Sequence, residues 1–260
     1  MKFSRIFICT LLAGLVFAAA GCATFSSSPG IVRVGYTEEE PDAAQEGVMW
    51  QPVPVHSFVP STAGGSCREI EKANAMDKKV RDTAQVRFLW SSDALYVGIV
   101  MADGDLVDES VADSGKLPAT SDCVVLFLKH SGCRDYWEFC GNVRGRHSTC
   151  HYLSRGLLGL PGNNGYNAFM AVSAIADGTI NRSFDVDRGW KLLFKIPKKE
   201  LVRHGAPWKA GEAWRFLLVR HNYSRYLPSR EVTVFPRFTA QNLHSYEEWG
   251  TLVLVKPEGK

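Results

Sequence analysis

The chain has almost no surplus of charge. Its 30 Lys and Arg face 27 Asp and Glu for a net +3, which falls by two to +1 once Lys2 and Arg5 leave with an N-terminal leader. No basic field remains to attract a polyanion, which excludes nucleic acid as a partner. None of the seven cysteines forms a CxxC pair, so a cysteine zinc site is excluded as well. No GxSxG elbow, HExxH helix or phosphate-binding loop occurs. Carboxylate pairs for glycoside hydrolysis leave no fixed spacing, and no pair stands out. Internal repeats are lacking and helical periodicity is scarce. What is present is ordinary globular composition, 45% hydrophobic and 22% charged, enough to bury a core and too apolar for a disordered chain.

The N-terminus is more specific. Lys2 and Arg5 precede an apolar run from Ile6 to Ala20 that is interrupted only by Thr10 and Gly14. A permanent helical span takes about 20 apolar residues, so this run is too short and reads as a secretory signal. It ends in Ala19-Ala20-Gly21-Cys22, which resembles the lipobox of bacterial lipoproteins. That resemblance implies cleavage after residue 21, a diacylglyceryl group on Cys22, and a membrane partner reached through the lipid. One acyl chain holds only marginally, whereas two anchor stably. Residues 22–35 are then expected to be a lipidated tether, small and polar over Ala23–Gly30. Ala23 in place of an Asp implies sorting to the outer membrane.

With Cys9 removed and Cys22 lipidated, five cysteines remain: Cys67, Cys123, Cys133, Cys140 and Cys150. The number is odd, so at least one stays free or bridges to another molecule. Cys140 and Cys150 lie symmetrically about Gly145, and a hairpin centred there would make a Cys140–Cys150 disulfide.

Residues 36–260 read as one all-β domain. Val86, Phe88 and Trp90 alternate with polar residues, Ser91-Ser92-Asp93 turns the chain, and Leu95, Val97, Ile99 and Met101 alternate again, forming a hairpin. Asp122–Lys129 is a near-continuous apolar run, as in a strand covered on both faces. Tyr136–Cys140, Ala168–Ala176, Trp190–Ile196, Ala213–His221, Glu231–Phe235 and Thr251–Val255 are further strands. A helical turn starts at Pro197, and Arg68–Lys79 carries some helical spacing. Gly156–Asn167 is a glycine-rich loop. About nine strands with turn-rich connections indicate a single jelly-roll or immunoglobulin-like β-sandwich.

The order of motifs resembles family 9 carbohydrate-binding modules. Thr83–Trp90 followed by Asp93–Val97 resembles that family's "T.VR.LWD..LYV" signature. Ser121-Asp122 resembles its "QD.VE.F" element, Gly189–Pro197 its "GW..E..IP" strand, Trp214 with Arg220 its "W.....R" strand, and Trp249–Leu254 its closing "FG.L.L". The resemblance spans about residues 45–255. It implies a calcium-bearing sandwich that binds glycans without chemistry.

The departures fall at the expected sugar clamp. Ala119 and Leu243 stand where the family has its two tryptophans, Val125 where it has an acidic residue, and Cys140 where it has an arginine. A polysaccharide or oligosaccharide would therefore have to be held by other residues, for which Tyr223, Arg225, Tyr226, Trp208 and Arg220 are the candidates. Asp103, Asp105, Asp108 and Asp113 crowd one short loop, and hard oxygen ligands of that kind suit Ca²⁺. Trp190, Trp214 and Trp249 belong to strand patterns and are expected in the core. Two functions follow: a non-catalytic glycan-binding lipoprotein at the cell envelope, or a structural or protein-interaction lipoprotein that kept the sandwich and lost the clamp.

Overall fold

The computed structural model describes residues 30–61, 82–113, 117–158, 166, 168–182, 184–203, 205–225, 227 and 230–256. Cys22, Cys67, Tyr226, the stretch 68–79 and most of the loop 156–167 lie outside them.

The molecule is a 14-stranded sheet curled on itself. The hairpin expected at 83–101 forms as β4 (Ala84–Trp90) and β5 (Ala94–Ala102), with Trp90 opposite Leu95 across the Ser91–Asp93 turn. On the far side of β5 lies β11 (Gly189–Pro197), then the edge strand β10 (Ala171–Asp177). The second ladder is built on β12 (Ala213–Asn222). This strand pairs β6 (Cys123–His130) along one side, and β14 (Gly250–Leu254) and β13 (Glu231–Phe235) along the other. β7 (Tyr136–Asn142), β8 (His147–Ser154) and the short β9 (Leu157–Leu158) extend it outward. The two-residue strands β2 (His56–Ser57) and β3 (Val59–Pro60) cap β4 and β13.

β1 (Ile31–Tyr36) joins the two ladders. Its first four residues pair parallel with β14 and its last two with β4. The folded body therefore begins five residues inside the stretch expected to be tether. Alternation of buried Val32 and Val34 with exposed Ile31 and Arg33 explains why: one face of β1 closes the core.

Residues of period two from both ladders meet in one core. Val86, Phe88, Val97, Ile99, Leu192 and Phe194 face Leu126, Leu128, Phe139, Phe216, Leu218 and Leu252. Trp190, Trp214 and Trp249 are all buried, as their strand patterns require. β6 is buried at every position because its other face is also covered, by the segment 238–249 and the helical turn Leu117–Thr120. A third cluster, Trp50, Val53, Leu89 and Tyr96, packs the segment 43–53 against the outside of the first ladder. Gly98 in β5 permits this packing, since a Cβ there would meet the Gln45 and Trp50 side chains within 2.8 Å. The helical turn expected at Pro197 is present, with Pro197 preceding Lys198–Leu201. Among the described residues no helix is long and apolar enough to cross a membrane.

Candidate functional site

The acidic loop after β5 is held by arginines. Asp103, 1% exposed, pairs with Arg220 Nη2 at 3.2 Å. Asp105 accepts from the Arg225 backbone N–H at 2.6 Å and from its Nη1 at 3.0 Å. Asp108 pairs with Arg144 Nε at 2.8 Å and accepts from Asn142 at 3.1 Å. Burial raises the Asp103 carboxyl to about 6 despite the opposing pull of Arg220. Burial also raises the Asp122 carboxyl well above its ordinary value, with Asp103 adding repulsion and the backbone N–H groups of Tyr223 and Val107 opposing. Calcium needs six to eight oxygens aimed at one point. Here Asp103, Asp105 and Asp108 each have their own guanidinium, Asp113 accepts the His147 backbone N–H, and among the described residues no three His, Cys, Asp or Glu side chains form a metal-holding group. Asp103, Asp105 and Asp108 as arranged do not fit a Ca²⁺ ion.

The residues expected to hold sugar are occupied in the same way. Arg220 is 1% exposed and spends its guanidinium on Asp103, Asn222 and the carbonyls of Asp82 and Ala102, so it is an interior group. Arg225 bridges Asp105 to the carbonyls of Arg182 and Asp185. The Tyr223 hydroxyl donates to the Pro118 carbonyl at 2.9 Å and accepts from Arg230. Trp208 packs edge-on against Trp90 and Trp214, and its indole N–H donates to the Ser91 carbonyl. Ser91 precedes β5 and Asp103 follows it, so Trp208 sits roughly 30 Å from the arginine group at about 3.3 Å per residue. These side chains do not form one site.

The clamp positions, in contrast, do come together. Val125 and Cys140 are cross-strand partners on the outward face of β6 and β7. Leu243 packs on that cluster, and the turn carrying Ala119 lies against the same two strands. The four positions at which the resemblance placed the clamp therefore share one face, and carry alanine, leucine, valine and cysteine there.

Other residues of the same face supply both kinds of group. Tyr136 and Tyr152 stack at 4.7 Å with their planes 7° apart, because β7 and β8 place them directly opposite. His244, from the covering segment, packs on Tyr152 at 4.9 Å and on Phe127 at 5.6 Å. Its Nδ1 lies 2.8 Å from the Tyr136 hydroxyl, which also accepts the Gly156 N–H. With that hydroxyl donating, His244 is neutral and carries its proton on Nε2, in keeping with the lowering of its pKa by burial. Glu138 lies between Phe127 and Cys150, diagonally across from Val125 at about 7 Å. It is half-buried, accepts from the Tyr152 hydroxyl at 2.7 Å, and its carboxyl is raised by burial. The covering segment leaves Tyr136 and Tyr152 buried and Glu138 and His244 partly exposed, so a carboxylate acceptor and a neutral imidazole are what this face offers a hydroxyl-bearing ring. Glu138 is the one carboxylate that the described strands β6, β7, β8 and β12 present on this face. Its strand position was readable in the sequence, but nothing marked it as a replacement for Val125.

The same strands overturn the expected disulfide. The β7–β8 register sets Cys140 opposite Ser148 and Cys150 opposite Glu138, so the hairpin is centred one residue before Gly145 and the two cysteines miss each other. Among the described residues Cys123, Cys133, Cys140 and Cys150 form no disulfide. Cys123 is hydrogen-bonded to Cys140 instead, and burial pushes its thiol pKa up.

No protein-family model and no curated protein matches the chain. Solved structures do. A candidate carbohydrate-binding protein from Bacteroides uniformis matches with a TM-score of 0.62 at 13% identity, over 87% of this chain and 100% of that one. A family 9 carbohydrate-binding module from Caldicellulosiruptor kristjanssonii, solved with cellotriose, matches with a TM-score of 0.59 at 14% identity, over 88% and 95%. The glucose complex of a family 9 module from the same organism gives 0.59 at 13%, over 88% and 98%. The fold of this chain is that of a family 9-like carbohydrate-binding module.

Proposed function

We propose that the chain is a non-catalytic glycan-binding lipoprotein that helps a saccharide-degrading system capture its substrate at the cell envelope. The curled sheet is read as one two-layer β-sandwich. The lipid on Cys22 would hold it at the outer membrane, on the periplasmic face or the cell surface. The observation that carries the reading is the likeness to carbohydrate-binding structures, which covers 87–88% of this chain and 95–100% of theirs. On that face Glu138, Tyr152 and His244 are assigned to the sugar, with Glu138 accepting from ring hydroxyls and the partly exposed His244 ring face packing on its C–H groups.

The second reading is a structural or protein-interaction lipoprotein. Ala119, Leu243 and Val125 favour it, because an apolar face without its clamp can equally be core. A glycan array probed with the full chain separates the two. Saturable binding to at least one glycan, weakened tenfold or more by Tyr152→Phe, supports the first; no binding at millimolar sugar supports the second. The anchor is tested separately. The mature N-terminal peptide is expected to begin at Cys22 with a diacylglyceryl mass, and Cys22→Ser to move the protein into the soluble fraction. An unmodified Cys22 refutes the anchor without touching the glycan reading.

A further inference from the structure

A cavity of about 530 Å³ opens on the outside of β1 and β4, away from the face assigned to sugar. Its lining includes Tyr36, Met49, Val53 and Leu89 with neighbouring prolines, and Gly35 between Arg33 and Tyr36. The volume falls within the range of about 300–1,000 Å³ typical of small-molecule sites. Two cations, Arg33 and Lys256, belong to the lining, and no carboxylate does. Both are exposed, and neither forms an ion pair with a carboxylate among the described residues. The Lys256 ammonium sits 4.7 Å from the centre of the Tyr36 ring.

The walls offer little to a sugar. The Thr37 hydroxyl is already engaged, donating to the Glu39 carbonyl and accepting its N–H. An apolar trough flanked by two exposed cations is complementary to a molecule with an apolar body and one anionic end. We propose that this cavity binds an aliphatic carboxylate of medium chain length, with the chain along Met49, Val53 and Leu89 and the carboxylate between Arg33 and Lys256. The site is independent of the glycan reading.

The lipid-free Cys22→Ser full chain is titrated by calorimetry with decanoate, 1-decanol and glucuronate. Decanoate is expected to bind with a Kd below 1 mM, decanol at least tenfold more weakly, and glucuronate not at all. Arg33→Ala and Lys256→Ala are each expected to weaken decanoate about fivefold and leave decanol unchanged. Gly35→Leu should abolish binding of both. Its backbone φ lies outside the left-handed region, and its Cβ would stand 3.7 Å from Leu89, an ordinary contact, so the strand can accept a side chain there. If Gly35→Leu fails to melt cooperatively, the two exposed cation variants decide alone. The proposal is overturned if decanoate does not bind, if decanol binds as tightly, if glucuronate binds instead, or if a folded Gly35→Leu binds decanoate normally.

Discussion

Replacing Arg220 by methionine is expected to unfold the molecule at a lower temperature rather than to weaken a ligand. The side chain is 1% exposed, and its two terminal nitrogens serve Asp103, Asn222 and the carbonyls of Asp82 and Ala102. Methionine fills similar space but donates nothing, so the 1%-exposed Asp103 carboxylate loses its counter-charge. Breaking a buried pair from one side costs about 3–5 kcal/mol. At about 2–4 °C per kcal/mol for a chain of this size, the melting temperature should fall by roughly 6–20 °C. The pH dependence identifies the cause. Asp103 is already raised from 3.8 to about 6, with Arg220 pulling the other way. Removing Arg220 raises it further. A raised acid adds stability that is fully present below its unfolded pKa and is lost as pH rises through its folded pKa. The deficit of Arg220→Met should thus be largest near pH 8 and shrink toward pH 4, where Asp103 is neutral in the folded wild type and the folded variant alike. Asp103→Leu added to Arg220→Met should recover part of the loss. Circular-dichroism melts at pH 4, 6 and 8 test this. A wild-type melting temperature, or a deficit equal at all three pH values, would refute the reasoning.

Three further outcomes follow from individual side chains. His221 is buried and its pKa is lowered to about 3 by burial and by Arg230, so the unfolded chain takes up a proton first. Its contribution is intact above pH 6.5 and declines by about 1.4 kcal/mol per unit as pH falls toward 3, and His221→Leu should flatten that limb of an acid-unfolding curve. Peptide mapping without reductant should recover Cys140 and Cys150 in unlinked peptides; a linked pair would contradict the β7–β8 register. Glu138→Gln should leave the melting temperature within about 2 °C of wild type, because the group is half-buried and its Tyr152 partner keeps an acceptor; a larger drop would make Glu138 a structural residue.

Much of the sheet was legible because its strands carry a simple apolar signal. Glu231–Phe235 was located to the residue, and the β4–β5 hairpin to within one at each end of its turn. β8 escaped because its sequence, HSTCHYLS, is largely polar. Its inward groups are satisfied by partners that only the fold supplies: His151 by Asp135 at 2.9 Å, and Thr149 by the Tyr166 carbonyl. β1 escaped because it adjoins the small polar leader, and its pairing strands lie up to 220 positions away, as for Ile31 and Thr251. The empty clamp was visible as Ala119, Leu243 and Val125. The Tyr136–His244 contact on the same face was not, since it spans 108 positions of chain. The acidic loop misled for a related reason. Its carboxylates cluster in sequence as calcium ligands do, yet Arg220, Arg225 and Arg144 reach them from distant elements.

The central proposal is that a carbohydrate is held at the Glu138 face without being cleaved. The most direct test is calorimetric titration of the full chain and its Glu138→Gln variant with a panel of neutral oligosaccharides, cellotriose among them, with reducing ends assayed in the same samples. Saturable binding of at least one oligosaccharide by the wild type, weakened tenfold or more in Glu138→Gln and with no new reducing ends, is the predicted result. No binding at millimolar concentration, equal binding by Glu138→Gln, or release of reducing ends would contradict it.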